Sequence, residues 1–218
     1  MNNHLLLIGA GSGLSLAIAY VFGQQGYRVS LVARQAASLN QLVQELSDAR
    51  ISVSGYATDV SQFDQFRQTL DDIEREQGPA SVMVYNPSIY RQASVLEVDP
   101  EVFMTDQRTN FGGLIVAAQA VTPQMLAEGG GTILITGGGS ALNPAADLVA
   151  LSVGKAGVRT VAKCLHDTLE PQGIHVATVT INGSIVEGTH VSPSLIAPWY
   201  WELHQEAAGE WTFERIYE

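Results

Sequence analysis

The chain has 218 residues, 46% of them hydrophobic and 15% charged, a balance that predicts one compact domain spanning 1–218 with a large buried core. A formal net charge of -11 and a pI near 4.8 exclude a surface that tracks nucleic acid, which needs clustered Lys and Arg; the nine arginines and two lysines here are scattered. No uninterrupted apolar run reaches the ~18 residues needed to span a bilayer, and Met1-Asn2-Asn3-His4 enters Leu5-Leu6-Leu7-Ile8 without a basic leader or cleavage pattern. The lone Cys164 cannot form an intrachain disulfide and reads as a small buried helix residue. These features predict a soluble, cytoplasmic protein that engages neither nucleic acid nor membrane.

Short apolar runs alternate with longer segments of helical period, the pattern of a parallel sheet covered by helices on both faces. Strands are expected at 4–8, 28–33, 52–57, 81–85, 131–136 and 174–180, and helices at 13–24, 36–48, 61–77, 99–127 and 148–170. Gly26-Tyr27 turns into the second strand, Gly78-Pro79 ends the third helix, and Asp99-Pro100-Glu101 offers an N-cap with Pro at the first helical position. The helix from Leu148 is apolar on almost every side, so it should be buried by more than one neighbour. With the segment at 99–127 it predicts a subunit interface in a homodimer or homotetramer. Beyond Asn182-Gly183 the alternation stops, and 184–208 is read as a segment that covers a substrate. Its Trp199-Tyr200-Trp201 cluster either lines a pocket or packs. The tail from Glu210 to Ile216 alternates like an edge strand.

Between the first strand and Leu14-Ser15-Leu16 lies Gly9-Ala10-Gly11-Ser12-Gly13. Glycines there let the backbone turn sharply and approach a pyrophosphate, while the following helix supplies free N–H groups and a partial positive charge. The second strand ends Val32-Ala33-Arg34, with no acid to hold two ribose hydroxyls and a guanidinium able to pair with a 2'-phosphate. This favours NADP(H) over NAD(H), unless Arg34 is only a solvated surface residue. No cluster suggests a metal.

The joint order of this loop, Asp59-Val60, Asn86, Asn110, the loop after the fifth strand, Lys155 and Asn182-Gly183 resembles the short-chain dehydrogenase/reductase family over roughly residues 4–190. The resemblance implies a Rossmann-type doubly wound α/β sheet of six to seven strands in three layers, and a nicotinamide cofactor. It places Gly9, Gly11, Ser12, Gly13 and Leu14 at the phosphates, Asp59 and Val60 at the adenine, and Asn86, Asn182, Gly183 and Ile185 along the nicotinamide half. Asp59 is alternatively a helix N-cap. Ser15 replaces the last glycine of the family's loop, and its hydroxyl is a second candidate for a phosphate. Pro87 removes a backbone donor beside Asn86.

The same resemblance assigns Lys155 to the nicotinamide ribose and Asn110 to its support, and it exposes two holes. The family's Tyr falls on Leu151 and its Ser on Gly138. Ser140, two residues late, or the N–H groups of Gly137-Gly138-Gly139 are left to face a substrate oxygen. Losing a general acid forfeits roughly 10²- to 10⁴-fold in rate, with Tyr90 and His190 the candidate replacements. A substrate that already carries its proton, such as an iminium, also suits the hole. The leading expectation is a divergent NADP(H)-dependent oxidoreductase acting on a small organic substrate. Its rivals are a degenerate NADP(H)-binding sensor or scaffold and an enzyme of non-redox chemistry.

Overall fold

The computed structural model describes residues 3–218; Met1 and Asn2, the start of the expected domain, lie outside the described residues. Seven parallel strands form one sheet in the order β3-β2-β1-β4-β5-β6-β7. They are β1 (His4–Ile8), β2 (Arg28–Ala33), β3 (Val53–Ala57), β4 (Val82–Tyr85), β5 (Gly131–Thr136), β6 (Ile174–Ile181) and β7 (Glu214–Tyr217). The helices are α1 (Leu14–Gln24), α2 (Ala36–Asp48), α3 (Phe63–Gln77), α4 (Pro100–Gln107), α5 (Gly113–Ala127), α6 (Val149–Leu169) and α7 (Pro193–His204).

The central strands are apolar without alternation because both faces are covered. Leu5 and Leu7 enter one core with Ile18, Phe22, Leu39 and Tyr200. Leu6 and Ile8 enter the other with Phe66, Leu114 and Val158. This is the three-layer, doubly wound α/β architecture expected. The chain leaves β1 for β2 on one side and later returns to β4 on the other. That reversal opens a crevice at the carboxyl ends of β1 and β4, where such sheets bind ligands.

Four expectations change. The helix expected over 99–127 is interrupted by a widened π turn, Arg108–Gly112. Gly112 and Gly113 permit it: a Cβ on either would lie 2.7 Å from Phe63 Cζ or 2.6 Å from Tyr85 Oη. The Tyr85 hydroxyl donates to the Thr109 carbonyl at 2.6 Å within the turn. Second, α6 is not apolar all round. It buries Ala150, Gly154, Val158, Ala162 and Leu169 along one stripe and turns Lys163 and Asp167 to solvent. Third, Cys164 falls on that outer face and is exposed, because Ala162 and His166 take the inward positions of its turn.

Fourth, much of 184–208 is a packed helix. Pro193 sits in the first turn of α7, where no N–H is needed, and Ile196, Ala197, Tyr200 and Leu203 repeat along one fully buried face. The Trp199-Tyr200-Trp201 cluster therefore packs: Phe22 meets Trp201 edge-on with ring centroids 5.2 Å apart, and Trp199 meets Tyr217 at 4.8 Å. The tail strand forms at the expected edge, shifted to Glu214–Tyr217 and parallel to β6. Among the described residues no helix is long and apolar enough to cross a membrane.

Candidate functional site

The β1–α1 loop is held by its neighbours before any ligand arrives. Gly9 has φ +85°, and a Cβ there would lie 2.6 Å from the Pro87 nitrogen, so the position requires glycine on both counts. The N–H groups of Gly9 and Ala10 both donate to the Val32 carbonyl at 2.9 Å. Ser15 is 2% exposed; its hydroxyl donates to the Gly9 carbonyl at 2.8 Å and accepts from Asn86 Nδ2 at 2.5 Å. Ser15 is therefore no phosphate ligand. It braces the first loop against the loop after β4.

The start of α1 is open. Gly13 is its N-cap, with no side-chain cap and no acid in the first turn, and nothing lies within 4 Å of a Cβ placed at Gly11 or Gly13. Free N–H groups and the positive end of the helix face outward there, the arrangement that takes an anion. Beside it lies a cavity of about 270 Å³ walled by Ala33, Arg34, Thr58 and Val60. Arg34 is exposed and in no ion pair among the described residues. The hydroxyl of Thr58 is buried without a partner. The Asp59 carboxylate is turned away to accept the Ser61 N–H at 2.9 Å. Nor is Asp59 the N-cap of α3, a position that falls to Gln62.

Asn86 and Ser88 line this cavity and also a second one of about 580 Å³, so the two form one cleft along the carboxyl ends of the strands. The second part is lined by Gly13, Leu14, Gly138, Ser140, Leu151, Lys155, Asn182, Gly183 and Ile185, which brings together most of the residues expected at the nicotinamide end. Gly11, Ser12, Asp59 and Asn110 lie outside both linings. Tyr90 lines the cleft but is 70% exposed, and His190 lies outside its lining. A cavity of about 570 Å³ at the opposite end of the sheet has buried His175 and partly buried His204 in its wall, and neither the β1–α1 loop nor the start of α1 opens onto it.

Lys155 is 9% exposed, and its Nζ donates to the Thr136 carbonyl at 2.8 Å. With no carboxylate partner among the described residues, burial pushes its pKa down to about 8. The three glycines after β5 are set by contact rather than by flexibility. A Cβ would strike Thr180 at Gly137 and Asn182 Oδ1 at Gly139, and at Gly138 it would press the Lys155 side chain at 3.3 Å. Ser140 sits in the short turn Gly139–Ala141, half-buried, with its hydroxyl facing no protein partner among the described residues.

Asn110 is a brace rather than a cleft residue. Its Oδ1 accepts the Ile89 N–H at 2.8 Å and its Nδ2 donates to the Ala150 carbonyl at 3.3 Å, tying the β4 loop to α6. Gly154 makes room, since a Cβ there would lie 2.5 Å from Asn110 Nδ2. Sequence reasoning also missed Thr136, Thr58 and the Ser15–Asn86 bond. The end-of-strand placement of the two threonines was the available signal, whereas nothing local predicts a bond across 71 residues. Among the described residues no group of three or more His, Cys, Asp or Glu is placed to hold a metal ion.

The family model for short chain dehydrogenases matches residues 3–194, and the chain belongs to that family. It is 28% identical over 185 residues to a D-threitol dehydrogenase of Mycolicibacterium smegmatis, covering 85% of this chain and 71% of that one. It superimposes with a TM-score of 0.90 and 27% identity on a short-chain dehydrogenase from Rhodopseudomonas palustris, over 100% of this chain and 99% of that one. A metagenomic short-chain oxidoreductase solved in complex with NADP shares the fold at 24% identity, with a TM-score of 0.90 over 99% of this chain and 96% of that one. Curated relatives of this chain are named as dehydrogenases and reductases.

Proposed function

We propose that the protein is a divergent NADP(H)-dependent oxidoreductase acting on a small organic carbonyl or alcohol. The observation that carries this reading is one continuous cleft, running from unpaired Arg34, past the uncapped start of α1, to Lys155. The residues fit a dinucleotide phosphate. Arg34 suits a 2'-phosphate, the orphan hydroxyl of Thr58 and the wall of Val60 suit an adenosine, and the α1 N-terminus suits a pyrophosphate. The bound nicotinamide supplies hydride chemistry. Lys155 holds the ribose, Ile185 and Asn182 border the ring, Ser140 or the N–H groups of the glycine loop face the substrate oxygen, and the exposed stretch 184–190 covers the substrate. We place this activity in the cytoplasm, a proposal with which the net charge of -11 is compatible.

A second reading is favoured by one observation, Leu151 in the cleft wall where the family has its acid. On it the chain is a degenerate NADP(H) binder, a sensor or scaffold. The test is NADPH consumption by the wild type across panels of carbonyls, enones and imines, beside the Leu151→Tyr/Gly138→Ser double variant. Turnover by the wild type supports the enzyme, whereas cofactor binding with turnover only in the double variant supports the degenerate binder.

A further inference from the structure

We infer that Lys155, besides holding the ribose, is the group that delivers the proton in this chain, replacing the acid missing at Leu151; the inference rests on the reductase reading above. Seven residues other than the lysine that line this part of the cleft carry polar hydrogens on their side chains: Asn86, Ser88, Tyr90, Thr136, Ser140, Asn182 and Ser184. Serine and threonine hydroxyls and amides are far too weak as acids near neutral pH. Tyr90 hangs on an exposed loop, and no hydrogen bond among the described residues orients it. Lys155 is the opposite case, a cation fixed within the cleft wall.

Three constraints fix it. The Nζ has one protein acceptor, the Thr136 carbonyl at 2.8 Å, so two of the three N–H bonds of the ammonium are left for the cleft. The alkyl chain lies against Gly138, where even a Cβ would sit only 3.3 Å away, so the head group has little room to swing. Leu151, one helical turn earlier on α6, lines the same cleft and brings no hydroxyl to compete for the substrate oxygen. A buried ammonium without a carboxylate partner gives up its proton more readily than a solvated one, and its pKa of about 8 suits a donor that solvent recharges near neutrality.

The step balances as follows. The carbonyl carbon gains a hydride, two electrons and a proton, from a reduced nicotinamide dinucleotide. The carbon–oxygen π pair moves onto oxygen, which forms an O–H bond as an N–H bond of Lys155 Nζ breaks. The products are the alcohol, oxidised cofactor and a neutral amine, and the amine takes a proton back from water.

The chain has only two lysines, so lysine-labelled protein gives two side-chain ammonium signals, with exposed Lys163 as the internal reference. In the absence of cofactor, Lys155 should titrate near 8. The turnover number for carbonyl reduction should fall with rising pH around the Lys155 midpoint measured in the cofactor complex. Lys155→Arg, a cation that does not give up its proton, should still bind NADPH but lose roughly 10²-fold or more in turnover. Adding Leu151→Tyr to that variant should restore part of the loss. A Lys155 midpoint at or above the ordinary lysine value of about 10.4 in the free protein overturns the inference. So does Lys155→Arg retaining wild-type turnover, or Tyr90→Phe suffering the loss in its place. These results leave the reductase reading standing if the wild type turns over. A wild type that binds NADPH and reduces nothing in the panel overturns both.

Discussion

Replacing Arg34 with alanine isolates the cofactor preference from everything else in the cleft. The guanidinium lines the cavity of about 270 Å³ proposed for the adenosine, exposed and without an ion pair among the described residues, so its removal breaks no internal bond and should leave folding unchanged. What it removes is the only cation among the described residues lining that cavity. A charge-assisted hydrogen bond is worth about 1.5–3 kcal/mol, with an exposed one toward the lower end. One or two such bonds to a 2'-phosphate amount to roughly 10- to 100-fold in affinity. Fluorescence titration should therefore give tighter binding of NADPH than NADH in the wild type, a gap that narrows with added salt as the phosphate is screened. In Arg34→Ala the NADPH affinity should fall while that for NADH stays put. Equal wild-type affinities, or a variant that loses both cofactors alike, would refute the charge argument.

Ser15→Ala leaves the Asn86 amide without its buried acceptor and frees the Gly9 carbonyl; it should cost about 1–3 kcal/mol in denaturant unfolding, and an unchanged midpoint and slope would show that the brace carries no load. His204 is held neutral between the Tyr27 hydroxyl at 2.7 Å and the Thr132 hydroxyl at 2.8 Å, with burial pushing its pKa from 6.5 to about 4. Its folded pKa lies below the unfolded one, so the unfolded chain binds the extra proton. Stability present above pH 6.5 should then drop by on the order of 3 kcal/mol as the pH falls to about 4, and His204→Gln should flatten that stretch of the pH–stability curve. An identical slope in the variant would count against it. Exposed Val102, Met104, Ile115, Leu126 and Val153 on α4, α5 and α6 prompt the prediction of a homodimer or homotetramer, which sedimentation at micromolar concentration showing only monomer would reject.

Sequence alone carried the parallel α/β sheet and most of the cleft, because both are written locally. Runs such as Leu5-Leu6-Leu7-Ile8 must be buried on two faces, and a glycine turn between such a run and a helix has few other uses. The residues expected at the nicotinamide end come from separate strand ends, and in a parallel sheet with right-handed crossovers those ends lie along one edge. Tertiary structure decided what depends on partners distant in the chain. Ser15 looked free to bind a phosphate until the loop after β4 came within reach of it, and Asn110, expected to support Lys155, instead braces the β4 loop against α6 in the space beside Gly154. The helix α7 was hidden by two prolines and by aromatic residues that suit a pocket as well as a core. Only the presence of α1 beside it determines that Tyr200 and its neighbours pack. A side chain's hydrogen-bonding capacity is a property of its residue type, but which partner uses that capacity is fixed by the approach of other segments, and that information is not local to any stretch of the chain.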